Sequence, residues 1–141
     1  MSENTSREVR LKTRPVGLPK ESDFELAEVT VGAPGEDEVL IRNLYMSVDP
    51  YMRGRMIDRK SYATPFEVGA VMHGGAVGEV VESRADGFQV GDHVLSMNGW
   101  RERFLSSGDT LRKVDGNLAP LSAYLGVLGM PGLTAYIGLE D

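Results

Sequence analysis

The chain has 141 residues, no cysteine and a formal net charge of −6 at pH 7. That length suits one domain and allows a sizeable hydrophobic core. The lack of cysteine excludes disulfides, thiolate metal sites and cysteine nucleophiles, and fits a cytoplasmic protein. The acidic balance argues against nucleic acid or an anionic membrane as the main partner.

Short strands at short intervals are predicted over the first four fifths of the chain. After a flexible tail at residues 1–6, apolar patterning and turn residues predict strands over 7–12, 24–31, 39–47, 71–81, 90–95, 100–106 and 110–114. Glycine and proline separate most of them. This pattern predicts a mainly β fold, either an antiparallel barrel or a sandwich.

The character of the chain changes at Asn117. No charged residue occurs from there to Leu139, and the apolar spacing favours helix. Pro120 can open one helix that ends near Gly129, and Pro131 can open a second. The glycines and prolines make this run a poor membrane span. We therefore predict two short packed helices and no membrane partner.

A glycine-rich run at residues 74–78 invites comparison with a phosphate-binding loop. It reads GGxxG and continues into a strand pattern, whereas a dinucleotide site needs a helix N-terminus at that point. We predict a bent or bulged strand. His73 and His93, the only histidines, have no ligand spacing with the carboxylates, so we predict no metal site.

The segment "NLYMSVDPYMRGRM", residues 43–56, concentrates bulky and adaptable side chains after a strand. The Asp49-Pro50 step should end the strand, and a turn or short helix should begin at Tyr51. One interpretation is that Tyr51 and the methionines fill the core. The other is that they form one wall of an apolar pocket, in which a phenol and a guanidinium orient a ligand.

Three segments together, "NLYMSVDPYMRGRM", "GDHVLSMNGWRERF" and "LGMPGLTAYIGL", resemble a known family in their order and spacing. The family is the zinc-free medium-chain dehydrogenases/reductases. The branch is the leukotriene B4 12-hydroxydehydrogenase/prostaglandin reductase group, with curcumin reductase and plant alkenal double-bond reductases. The resemblance extends from about residue 8 to the end of the chain.

The resemblance implies a fold and a domain organisation. Residues 7–128 would form a GroES-like, partly open antiparallel barrel on the substrate side of a cleft. Residues 129–141 would begin the junction to a Rossmann domain that binds most of the NADP(H). We therefore expect an N-terminal domain that is inactive alone and belongs to a homo-oligomer, a dimer, when full length.

The resemblance also implies a chemistry. In zinc-containing relatives a cysteine and a histidine bind zinc, and their positions fall here near Asp49 and at Gly74. Without zinc, the implied reaction is hydride transfer from NADPH to the β-carbon of a small α,β-unsaturated ketone or aldehyde. The alternatives are a zinc-free alcohol dehydrogenase or quinone reductase, and a free-standing GroES-like module for binding or assembly.

Site residues follow by matching motifs. Tyr51 is the tyrosine of the "DPYMR" turn and is implied to be catalytic and substrate-binding. Met130 and Thr134 lie in the "GMPG-x-TAY" segment and are implied to approach the nicotinamide end of the cofactor. The further substrate-side positions are Met52, Tyr62 and Trp100.

Overall fold

The structure is a computed structural model that describes residues 5–140. Its strands are β1 (Thr5–Leu11), β2 (Phe24–Thr30), β3 (Glu38–Met46), β4 (Ala76–Ser83), β5 (His93–Ser96), β6 (Arg103–Ser107) and β7 (Arg112–Val114). Its α-helices are α1 (Tyr51–Arg55) and α2 (Met130–Leu139). Short 3₁₀ turns occupy Glu21–Asp23, Gly108–Thr110 and Leu121–Leu125.

Two antiparallel sheets carry the fold. β1 pairs with β2, and the larger sheet has the order β6-β3-β4-β5-β7. The mainly β prediction is confirmed, and the described part of the chain forms open sheets and no closed barrel. The β3–β4 register shifts between Asn43 and Tyr45, opposite Gly78. A Cβ atom on Gly78 would stand 2.9 Å from Arg42 O, so this irregularity needs a glycine.

β1 joins the two sheets. Ser6 is 1% exposed, and its hydroxyl donates to Arg103 O at 3.0 Å and accepts from Arg103 N at 2.9 Å. Further along the strand, Val9 N donates to Trp100 O at 2.8 Å. Because Ser6 is buried in this joint, β1 begins at Thr5, two residues before the predicted start. Residues 1–4 of the predicted tail lie outside the described residues.

The core divides into two clusters. The sheet core lies within the five-stranded sheet and comprises Val39, Ile41, Val80, Val94 and Phe104. The α1 core comprises Leu11, Met52, Met56, Phe66 and Met72, with Val9, Phe24, Tyr51 and Trp100 packed at its margin. The α1 core supports the stretch in which the sequence predicts the site.

Two predicted elements differ in the structure. The strand predicted over 71–81 begins only at Ala76, because Val71 and Gly74 form isolated bridges instead. The first C-terminal helix is a 3₁₀ turn over Leu121–Leu125. Gly126, with φ −127° and ψ −112°, leaves helical geometry and ends that turn.

The second C-terminal helix forms as predicted. α2 begins at Met130 with Pro131 in its first turn, and none of its residues is buried. Leu133, Tyr136 and Ile137 are 51%, 62% and 58% exposed. Between residues 5 and 140, no helix combines the length and the apolar character needed to cross a membrane.

Candidate functional site

The chain turns from β3 into α1 within four residues. Ser47 N donates to Gly75 O at 2.8 Å, and the Ser47 hydroxyl donates to Asp49 Oδ1 at 2.9 Å. Met52 N donates to Asp49 O at 3.1 Å and starts the helical hydrogen bonding. Pro50 is already helical, with φ −57° and ψ −31°. The Asp49-Pro50 step thus ends the extended chain as predicted and sets Tyr51 as the first residue of α1.

Tyr51 is half-buried at the margin of the α1 core. Burial raises the pKa of its phenol, the Asp49 carboxylate raises it further, and Arg55 acts in the opposite direction. The phenol therefore keeps its proton at neutral pH. Within residues 5–140 its hydroxyl has no hydrogen-bond partner. The O–H group is available to donate to a ligand.

Met52 is 2% exposed and belongs to the α1 core. Its Cε lies beneath Gly74, where any added Cβ atom would overlap it. The sequence predicts a substrate contact for Met52, and in the structure its side chain packs in the α1 core. The reason is that α1 is one short turn whose second residue faces the core.

Trp100 lies on the same side of Gly74 as Met52, and its Nε1 would stand 3.6 Å from a Cβ atom on Gly74. Its φ of 62° is in the left-handed region, which is an outlier for a bulky residue. Its backbone N–H points at the sulfur of Met46, 3.4 Å away, and its ring packs against the α1 core. The indole N–H is buried and has no hydrogen-bond partner among the residues described. Trp100 and Tyr51 thus border the same core cluster.

Tyr62 is 87% exposed in the loop after α1. It is close enough to Tyr51 to act on it electrostatically and raise the pKa of that phenol. The fold therefore brings two predicted substrate-side tyrosines into one neighbourhood, with Tyr62 on the outside.

The two predicted cofactor-binding residues lie on α2. Met130 is 71% exposed and Thr134 is also exposed. Neither shares a hydrogen bond or a core cluster with Tyr51 in the described part of the chain. Their link to the site is indirect: the 3₁₀ turn before α2 packs on Gly75, which precedes β4. Leu125 Cδ2 there would stand 3.4 Å from a Cβ atom on Gly75.

Asp49 and Gly74, the positions that the sequence predicts in place of two zinc ligands, are neighbours. Ser47 bridges them, since its hydroxyl bonds to Asp49 and its carbonyl would stand 3.5 Å from a Cβ atom on Gly74. Among residues 5–140, no three His, Cys, Asp or Glu side chains come together as metal ligands would. Gly74 has no ligating atom, and its lack of a side chain makes room for Met52.

The sequence allows a guanidinium in residues 43–56 to orient a ligand. Arg53 instead holds a neighbouring loop in place. Its Nε and Nη2 donate to Gly17 O at 3.1 Å and 2.9 Å, and Nη2 also donates to Pro15 O at 3.1 Å. Arg14 makes the reciprocal contact, with Nη1 donating to Met56 O at 2.9 Å. The two arginines fasten the loop after β1 to α1.

Sequence reasoning missed Arg55 and Arg101. Arg55 is four residues after Tyr51, a spacing that places the two on one helical face and that could have identified it. Arg101 Nη2 lies 3.3 Å from His73 Nδ1, so His73 has a structural cation beside it. That contact joins segments 28 residues apart and has no local signal in the sequence.

A protein-family model described as the N-terminal domain of oxidoreductase matches residues 7–114. The chain belongs to that family. The match confirms the resemblance to this oxidoreductase family that the three sequence motifs indicate.

Individual relatives of this chain are also oxidoreductases. The NADPH-dependent curcumin reductase of Escherichia coli (strain K12) is 51% identical over 131 residues, which cover 93% of this chain and 38% of that protein. The 2-alkenal reductase (NADP(+)-dependent) of Nicotiana tabacum is 43% identical over 146 residues, covering 99% of this chain and 42% of that protein. The chain thus spans about two fifths of the length of these relatives.

A solved structure supports the fold of the oxidoreductase N-terminal domain. The crystal structure of CurA from Vibrio vulnificus in complex with NADPH matches with a TM-score of 0.87 and 43% identity. The match covers 94% of this chain and 40% of that one. The predicted GroES-like, partly open arrangement is confirmed by this likeness.

Proposed function

We propose that this chain is the substrate-side domain of an NADPH-dependent reductase that reduces the C=C bond of α,β-unsaturated ketones or aldehydes. Tyr51 carries the proposal, because it is a half-buried, protonated phenol whose hydroxyl is not engaged by residues 5–140. The names of two relatives, a curcumin reductase and a 2-alkenal reductase, support the substrate class.

In the proposed reaction, NADPH bound to the whole protein supplies a hydride to the β-carbon of the substrate. As that bond forms, negative charge develops on the carbonyl oxygen. The Tyr51 hydroxyl donates a hydrogen bond to this oxygen and stabilises the charge. A proton from solvent at the α-carbon completes the saturated product.

The neighbouring residues receive proposed roles from their positions. Trp100 and Tyr62 flank the substrate, one at the core margin and one at the exposed loop. Met130 and Thr134, exposed on α2, contact the nicotinamide end of the cofactor. The two zinc-ligand positions hold Asp49 and Gly74, so a hydrogen bond rather than a metal ion activates the carbonyl.

We further propose that the whole protein is a cytoplasmic dimer that acts on a small molecule, without a nucleic-acid or membrane partner. The net charge of −6 on these 141 residues supports the last part of this proposal, because anionic polymers and surfaces repel an acidic domain.

The test is an assay of the full-length protein with NADPH and three substrates: an aryl enone, a quinone and a saturated alcohol with NADP⁺. We expect NADPH oxidation with the enone and formation of the saturated ketone. NADPH deuterated at the transferring position should place deuterium on the β-carbon. Activity confined to the quinone would favour a quinone reductase, and activity confined to the alcohol would favour an alcohol dehydrogenase. A folded full-length protein inactive in all three assays would favour a binding module.

A further inference from the structure

A groove lies beside α1. It has a volume of about 230 Å³ and lies between Arg55 and the segment 64–73. Neither Tyr51 nor Trp100 lines it. The volume is below the ~300–1,000 Å³ of clefts for drug-sized molecules, so a ligand must be small.

Arg55 is held firmly at one wall of this groove. Its Nε donates to Thr64 O at 2.9 Å, and its guanidinium carbon lies 4.2 Å from the centroid of the Phe66 ring. The two terminal nitrogens have no hydrogen bond or ion pair to any residue between 5 and 140. A planar guanidinium fixed in this way is ready to bind a carboxylate with two parallel hydrogen bonds.

His73 presents a further donor. A guanidinium can only donate, so the 3.3 Å contact from Arg101 Nη2 makes His73 Nδ1 an acceptor and places the proton on Nε2. Arg101 is itself held, with Nε donating to Gly99 O at 3.3 Å and Nη2 to Met72 O at 3.3 Å. The Nε2–H group of His73 has no partner in the described chain.

Two charged groups line the groove, the Arg55 guanidinium and the Glu67 carboxylate, and the Arg101 guanidinium lies beside His73. The charged groups that act on His73 are Arg101 and Arg55, and both lower its pKa, after burial. One carboxylate, Glu67, also lines the groove but forms no ion pair with Arg55 within residues 5–140. One nearby negative charge tolerates a monoanion and disfavours a dianion. Of the other lining residues, Ala70 and Val71 are apolar and partly exposed, Thr64 is polar, and Phe66 is 3% exposed with its ring against Arg55.

We propose that this groove is a binding site for a small organic monocarboxylate. Its carboxylate binds the terminal nitrogens of Arg55, with His73 Nε2–H as an additional donor, and its apolar body lies on Ala70 and Val71. The site does not depend on the proposed reductase activity, since it needs neither cofactor nor enone.

The test is a titration of the chain with benzoate, followed by NMR of the His73 ring and the Arg55 Nε–H. We expect saturable shifts with benzoate, and none with benzamide, its uncharged isostere, or with inorganic sulfate, a dianion. Arg55→Gln should weaken benzoate binding by about tenfold or more, the loss of a charge-assisted hydrogen-bond pair. Arg59→Gln is the matched control, because Arg59 is an exposed arginine outside the groove.

A second variant keeps the proposal testable if Arg55→Gln disturbs the fold. Glu67→Gln leaves Arg55 in place and should strengthen benzoate binding and permit sulfate binding. Equal shifts with benzoate and benzamide, unchanged affinity in a folded Arg55→Gln variant, or no saturable shift at all would each overturn the proposal.

Discussion

Gly74 lies directly over the side chain of Met52, so that a Cβ atom on Gly74 would overlap Met52 Cε. The segment before β4 and the helix α1 therefore pack as one unit. The helix that carries Tyr51 is positioned by this contact and by the arginine contacts to the loop after β1.

The two glycines near the site should differ in their tolerance of alanine. At Gly78 the added Cβ would meet the backbone oxygen of Arg42 at 2.9 Å, whereas at Gly74 the obstacle is the flexible end of Met52. We expect Gly78→Ala to lower the free energy of unfolding by about 1–3 kcal/mol and Gly74→Ala to lower it less. Urea unfolding measures both. Gly32→Ala is the control, since nothing lies within 4 Å of that position.

Tyr51→Phe in the full-length protein should lower turnover with an enone by about a hundredfold. A donor to a developing oxyanion is typically worth about 3 kcal/mol, and the effect is confined to the transition state. NADPH affinity should stay unchanged in a binding titration. Tyr62→Phe removes a hydroxyl from an 87% exposed side chain and should have a smaller effect. Turnover unaffected by Tyr51→Phe would leave Tyr51 as a packing residue.

His73 should titrate below the ordinary histidine value of 6.5, because burial and then Arg101 and Arg55 lower its pKa. The folded state resists protonation more than the unfolded state does. Its contribution to stability is therefore full above pH 6.5 and is lost as the pH falls below it. NMR of the imidazole protons measures the midpoint. Arg101→Gln should raise it, and a midpoint at or above 6.5 in the parent chain would contradict the assignment.

This chain alone should not reduce enones and should bind NADPH weakly at best. Gly78 lies within β4, and no strand in residues 5–140 leads through a glycine-rich turn straight into a helix N-terminus that could hold a pyrophosphate. Titration calorimetry with NADPH tests this expectation. Micromolar affinity would mean that the cofactor has a binding site on this domain that we have not identified.

The exposed helix α2 should make the chain self-associate. Leu133 and Ile137 are half or more exposed on a helix that has no buried residue, and monomers seldom leave a large apolar patch open. Sedimentation should show a mass that rises with concentration, and Leu133→Glu with Ile137→Glu should abolish the rise. Leu18→Glu, at an exposed loop position, is the control. A strict monomer with residues 131–140 protected from hydrogen exchange would show that the tail is already buried.

The sequence predicts the strands well, because alternation and turn residues are local signals. It also predicts the breaks at Pro50 and Pro131, where the proline ring restricts the backbone. It fails at residues 71–75 and 121–125, where isolated bridges and a glycine at position 126 outweigh the apolar pattern.

The site was harder to predict for a different reason. Residue type cannot tell which side chains of a short helix face inward: Met52, for which the sequence predicts a substrate contact, is 2% exposed and lies in the core. The His73–Arg101 contact and the anchoring of Arg53 depend on loops meeting in space. Neither relationship has a signature in residue spacing.

Trp100 has a backbone conformation that glycine adopts at a lower energetic cost. A left-handed φ of 62° costs a bulky residue on the order of 1–3 kcal/mol. Stability alone would favour glycine there, unless the ring compensates by its packing on the α1 core. A glycine substitution at position 100 removes the backbone strain and the ring packing together, so the sign of the change in the free energy of unfolding shows which of the two is larger.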